Sequence, residues 1–144
     1  MIAEATRPYN VLLVEDDPGD ALLIEEALLE GDLARSVTQV EDGIAGLELL
    51  RSVDTKRIDL IVLDLNMPRM SGAEFLAIVK ADEKLRSIPV VVLTTSGSPE
   101  DISAAYASYA NAYVIKPVSL DAFTEAVRSI DAFYRETSAR LPDA

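Results

Sequence analysis

The chain of 144 residues contains no cysteine, which excludes a disulfide frame and any thiolate metal site. It contains no histidine either. That removes the commonest general base and the commonest transition-metal ligand. A metal held here must be bound through oxygen, which favours Mg²⁺, Mn²⁺ or Ca²⁺. Positive charge is also scarce: 13 Lys and Arg face 25 Asp and Glu, for a net charge of −12. Non-specific nucleic-acid binding needs clustered basic residues and is not expected. No apolar run approaches the 18 residues of a membrane span. The N-terminal MIAEATRP lacks the charged and apolar regions of a secretory signal. A cytoplasmic protein without nucleic-acid or membrane partners is the expectation.

What is present is an apolar fraction of 49%, too high for a disordered chain. The length suits one domain. Short apolar runs alternate with helical patterns. Tyr9–Val14, Val37–Val40, Ile58–Leu63, Val90–Leu93 and Ala112–Ile115 read as strands. Helical periods follow each of them. The first runs from Pro18 to Glu30, with Asp17 as cap and Gly31 as stop. The second starts at Asp42-Gly43. The third opens on the capping box Ser71-Gly-Ala-Glu74 and runs to about Asp82. The fourth is capped by Ser98 and runs to about Tyr109. The last begins at Ser119 and runs to about Thr137. Strict alternation of five strands and five helices predicts a doubly wound parallel sheet. The expected division is an arm at 1–8, a domain at 9–137 and a tail at 138–144.

Four of the strands end in chemically notable residues: Glu15-Asp16-Asp17, Asp64, Thr94-Thr95 and Lys116-Pro117. Ligands of open parallel sheets bind at the carboxyl ends of strands. One crevice would therefore receive acids, a hydroxyl and a lysine, a set that suits a divalent cation beside a phosphate-like anion. Asp64 is not needed as a helix cap, because Ser71 fills that role. It can act as a nucleophile and form an acyl phosphate. With Asp17 spent on the first helix, Glu15 and Asp16 face the crevice beside Asp64. Three such carboxylates repel unless a cation lies between them. Lys116 at the end of an apolar strand needs a partner, and Asp64 at rest can be that partner. A cis Lys116–Pro117 bond is expected, since the turn must aim the amine back at Asp64. Tyr113 is either a plain sheet residue or a functional aromatic.

The segments VLLVEDDPGDA, DLIVLDLNMPRMSG, IPVVVLTTS and AYVIKPV, in this order and spacing, resemble the receiver domain of two-component response regulators. The resemblance covers nearly the whole chain. It implies a flavodoxin-like (βα)₅ fold with strand order 2-1-3-4-5 and a histidine kinase as phosphoryl donor. It implies Asp64 as phosphoacceptor, Glu15, Asp16 and the main-chain carbonyl of Asn66 as Mg²⁺ or Mn²⁺ ligands, Thr94 and Lys116 as phosphoryl contacts, and Tyr113 as an aromatic switch. LTTSGSPEDI, NAYVIKP and SIDAFYRETSARLP are similar to the small regulators that serve phytochrome-type histidine kinases. That group usually has glycine where Tyr109 stands. Fewer than ten residues follow the last helix, so output by protein contact is expected.

Two other readings compete. A haloacid-dehalogenase-like phosphatase needs an acid two residues after its aspartyl nucleophile, where this chain has Asn66. A flavodoxin-like electron carrier needs a phosphate-cradling first loop, and Glu15-Asp16-Asp17 would repel phosphate.

On the last helix, Leu120, Phe123, Val127, Ile130 and Tyr134 form an apolar stripe expected to pack on the sheet. Phe133 falls on a shoulder beside it, which predicts a homodimer contact through Phe133 and Tyr134.

Overall fold

The computed structural model describes residues 8–30, 35–52 and 57–139. The strands are β1 (Tyr9–Val14), β2 (Arg35–Val40), β3 (Leu60–Leu63), β4 (Val90–Thr94) and β5 (Ala112–Ile115). The helices are α1 (Pro18–Leu28), α2 (Gly43–Arg51), α3 (Gly72–Ala81), α4 (Pro99–Ala107) and α5 (Leu120–Ala132), and α5 runs on into a π-helical turn at Phe133–Thr137. The strands pair in parallel, as the alternation predicts, and in the order β2-β1-β3-β4-β5, as the resemblance implies.

Successive strand residues point to opposite faces, and the strands carry apolar residues on both. Leu12, Val14, Ile61, Leu63, Val90 and Val92 join Leu47, Phe75, Leu76, Val79 and Ala105 of α2, α3 and α4 on one side. Val11, Leu13, Leu60, Val62, Val91 and Leu93 join Ile24, Ala27 and Leu28 of α1 and Phe123, Val127 and Ile130 of α5 on the other. Both faces are thus covered, as parallel sheets require. One tie across the second layer is ionic: Arg35 of β2 meets Asp131 of α5 at 2.8 Å, with both side chains almost fully buried.

Local chemistry sets the ends of the elements. Asp17 caps α1 by accepting the Gly19 and Asp20 N–H groups, with Pro18 at the first position. Ser71 and Glu74 form the capping box of α3. β3 starts two residues later than its apolar run. Asp59 Oδ2 accepts the Asn10 N–H at 2.9 Å, so a side chain takes a bond that a ladder carbonyl would otherwise take.

α4 stops short of Tyr109 because Tyr109 has a φ of 70°. The Tyr109 N–H donates to the Tyr106 carbonyl and the Ala110 N–H to the Ala105 carbonyl. This is the Schellman arrangement, whose left-handed position glycine normally fills. The tyrosine thus holds the turn that the related glycine would make.

Two expectations are corrected. No peptide bond among the described residues is cis, so Lys116–Pro117 is trans. The cis turn is not needed, because the Lys116 N–H donates to the Thr94 carbonyl at 2.7 Å and carries the β5 pairing one residue further. Leu120 does not pack on the sheet. It is 59% exposed, beside the exposed Ile115 and Val118. The buried stripe of α5 starts at Phe123. The expected stop at Gly31, most of the arm and most of the tail lie outside the described residues.

Candidate phosphoacceptor site

The parallel register brings the strand ends together. The Glu15 N–H donates to the Val40 carbonyl and the Asp64 N–H to the Val14 carbonyl, both at 3.0 Å. The backbone of both acids is therefore an extension of the sheet. Thr94 pairs with Ile115 across β4 and β5. Glu15, Asp64 and Thr94 are all buried.

Lys116 spans this edge. Its Nζ lies 2.8 Å from Glu15 Oε1, 2.8 Å from Asp20 Oδ2 and 3.4 Å from Asp64 Oδ2. Burial alone would lower the pKa of this ammonium, but the hydrogen bonds to Asp20 and Glu15 and the charge of Asp64 outweigh it and raise it. Glu15 moves up to about 7: burial is the main cause and Asp64 adds to it, against the lowering effect of Lys116. Burial thus dominates at Glu15, and the acid partners dominate at Lys116.

Glu15, Asp16 and Asp64 each offer a carboxylate oxygen, and these lie within 4.8 Å of one another. Three hard oxygen donors at this spacing fit a small divalent cation. Asn66 is exposed. Its N–H reaches Asp64 Oδ1 at 3.3 Å and its side-chain amide reaches Thr94 Oγ1 at 3.4 Å. A buried carboxylate, an acid cluster that fits a cation, a hydroxyl and an ammonium thus share one strand-end crevice, a set chemically able to accept and neutralise a phosphoryl group.

Tyr113 lies earlier in β5, three residues before Lys116, and donates its hydroxyl to the Ser96 carbonyl at 2.8 Å. Burial raises its pKa. The ring is thereby tied to the loop that follows Thr94. Phe133 and Tyr134 open the π-helical turn that follows α5. Their rings meet edge to face at 4.9 Å, with Phe133 half exposed.

Sequence reasoning missed Asp20. It lies in the first turn of α1, three residues after the cap, where an acid reads as a partner of the helix dipole. Its contact with Lys116, 96 residues away, had no local signal.

Residues 11–128 match the response regulator receiver domain family. Response regulator Rcp1 of Synechocystis sp. is 36% identical, with the match covering 100% of both chains. The probable methanogenesis regulatory protein FilR2 of Methanothrix harundinacea is 38% identical over 92% of this chain and 88% of its own. Among solved structures, the phosphorylated cyanobacterial phytochrome response regulator RcpA superposes with a TM-score of 0.91 at 37% identity, over 94% of this chain and 99% of its own. The Mn²⁺-bound form of Rcp1 gives 0.89 at 35% identity, over 94% and 100%.

Proposed function

Since the chain belongs to the response regulator receiver family, we propose that Asp64 takes a phosphoryl group from the phosphohistidine of a histidine kinase. One Asp64 oxygen bonds to phosphorus as the P–N bond breaks, and the imidazole keeps the electron pair and gains a proton. The observation that carries this reading is the convergence of the Lys116 ammonium and three acids at the sheet edge. Asp64 is the member of that set that closes β3, the middle strand of the sheet. The protein's part is positioning and charge neutralisation.

Mg²⁺ or Mn²⁺ is the proposed cofactor, held by Glu15, Asp16, Asp64 and the Asn66 main-chain carbonyl. When bound it offsets the charge of the carboxylates and of the incoming phosphoryl oxygens. Lys116 offsets what remains, and the Thr94 hydroxyl donates to a phosphoryl oxygen. Thr94 then moves toward the site, and Tyr113 exchanges its Ser96 bond for the space that Thr94 leaves. The result is a two-state change on the α4–β5–α5 face. Hydrolysis of the acyl phosphate resets the protein, and the exposed Asn66 leaves the site open to water.

The kinase is proposed to be of phytochrome type, supported by the likeness to RcpA and Rcp1. Phosphotransfer profiling against the histidine kinases of the source organism tests that partner. We also propose that residues 9–137 act as the receiver unit, that the protein works in the cytoplasm, and that it pairs as a homodimer through the π-helical turn at Phe133 and Tyr134. Sedimentation of wild type and Phe133→Asp checks the pairing. A wild type that is monomeric at tens of micromolar, with or without phosphate, would end that idea.

Asp64→Asn tests the central assignment. Incubated with Mg²⁺ and a small acyl phosphate, the wild type should gain acid-labile phosphate and the folded variant none. Stoichiometric label on the variant would overturn it.

A further inference from the structure

We propose that Asp20 is a positioning residue of the phosphoacceptor site. It is the carboxylate that keeps the Lys116 ammonium paired when Glu15 and Asp64 are given over to a divalent cation. The inference rests on the reading of Glu15, Asp16 and Asp64 as metal ligands.

An ammonium has three N–H donors, and the three of Lys116 have three carboxylate partners: Glu15, Asp20 and Asp64. Two of these belong to the cluster that fits a cation, and Asp20 does not. A cation placed among Glu15, Asp16 and Asp64 competes with Lys116 for two of the same carboxylates. The Lys116 side chain is only 6% exposed, so water cannot readily replace what it loses. A buried charge stripped of its partner is strongly destabilising. Asp20 offers the way out: at 31% exposure it is partly hydrated, and it already holds Nζ at 2.8 Å.

The fold sets this geometry from both sides. Asp17 Oδ1 accepts the Asp20 N–H at 3.1 Å and fixes the first turn of α1. The Lys116 N–H is fixed by the Thr94 carbonyl. The amine is therefore braced between a helix start and a strand end. A charge placed only to complement the helix dipole would have no need of a partner on the far side of the crevice.

The test is Mg²⁺ titration by calorimetry on the full chain. Asp20→Asn should weaken binding roughly tenfold, because Lys116 then leans wholly on Glu15 and Asp64. Asp17→Asn removes the same charge from the same turn, but its hydrogen bonds run to Gly19 and Asp20. It should change affinity by no more than about twofold. Asp20→Glu should restore most of the loss. In a Lys116→Met background, Asp20→Asn should do no more than Asp17→Asn. Thermal melts confirm that each variant is folded, and Asp20→Ser stands in if the amide variant is not.

Equal weakening by Asp20→Asn and Asp17→Asn would overturn the proposal, as would a full tenfold loss that persists without Lys116. Either result would leave the metal reading intact. A wild type that binds no Mg²⁺ would instead overturn the metal reading, and this inference with it.

Discussion

Gly72→Ala tests how the backbone at the end of β3, where Asp64 stands, is supported. Gly72 opens α3 and donates its N–H to the Leu65 carbonyl at 3.0 Å. A Cβ added there would lie 2.6 Å from Leu65 Cα and 2.9 Å from the Asp64 carbonyl carbon, and closer still to the Asp64 carbonyl oxygen. All three are backbone atoms, so no side chain can swing aside. Overpacking of this kind costs about 1–3 kcal/mol, and a rigid obstacle puts the cost at the upper end. Alanine recovers about 0.4–1 kcal/mol by restricting the unfolded chain. The net expectation is a loss of about 2 kcal/mol, or roughly 4–8 °C in Tm for a domain of this size. The assay is urea and thermal unfolding beside Gly97→Ala. The new Cβ of that control meets only Ile115 Cδ1, at 3.3 Å. The control should stay within about 0.5 kcal/mol of wild type. Because Asp64 is what the added methyl pushes, uptake of phosphate from a small acyl phosphate should slow as well. A Gly72→Ala protein as stable as wild type, or a control that loses as much, would refute the reasoning.

Tyr109→Gly should stabilise the protein. The left-handed conformation costs an L-residue about 1–2 kcal/mol, and glycine gives back part of that gain through its freer unfolded chain. Tyr109 is 74% exposed, so little packing is lost. A rise of about 2 °C in Tm is expected, and a fall would show that the ring contributes contacts that outweigh the strain. Asp16→Ala and Asp17→Ala should separate metal binding from capping. The first should weaken Mg²⁺ binding strongly with little change in stability. The second should cost about 1 kcal/mol of stability and weaken Mg²⁺ binding less than the first. Calorimetry with chemical denaturation checks both, and equal effects of the two variants would refute the division of roles.

Most of the fold and the core of the site were legible because their signals are local. Pro18 after Asp17, and Glu74 three residues after Ser71, mark helix starts within a few residues, and both caps form. Asp64, Thr94 and Lys116 announce themselves as polar residues closing apolar runs, and parallel topology turns that shared position into a shared place. What was not legible depends on distant partners or on side chains that replace the backbone. The late start of β3 follows from Asp59 bonding to Asn10, 49 residues away. Tyr109 gave half a signal: its departure from a usual glycine marked the turn, and only the φ of 70° shows that the turn is kept at a cost.

The trans Lys116–Pro117 bond and the contact between Lys116 and Asp20 have one explanation. A lysine before a proline is expected to need a cis turn to reach back to Asp64. In the structure the aim comes from upstream. The Lys116 N–H continues the β4–β5 pairing to the Thr94 carbonyl, so the residue leaves the sheet already directed along the crevice. The side chain then crosses the edge of β3 and β1 and ends on α1. Three pieces of the fold, the ends of β1 and β3 and the first turn of α1, thus converge on one ammonium, and of their contact residues only Glu15 and Asp20 lie close in sequence. A change of charge at Asp64 must be felt at Glu15 and at the first turn of α1 through that same nitrogen, because Coulomb coupling at 3 to 4 Å in a dry site is far stronger than it would be in water.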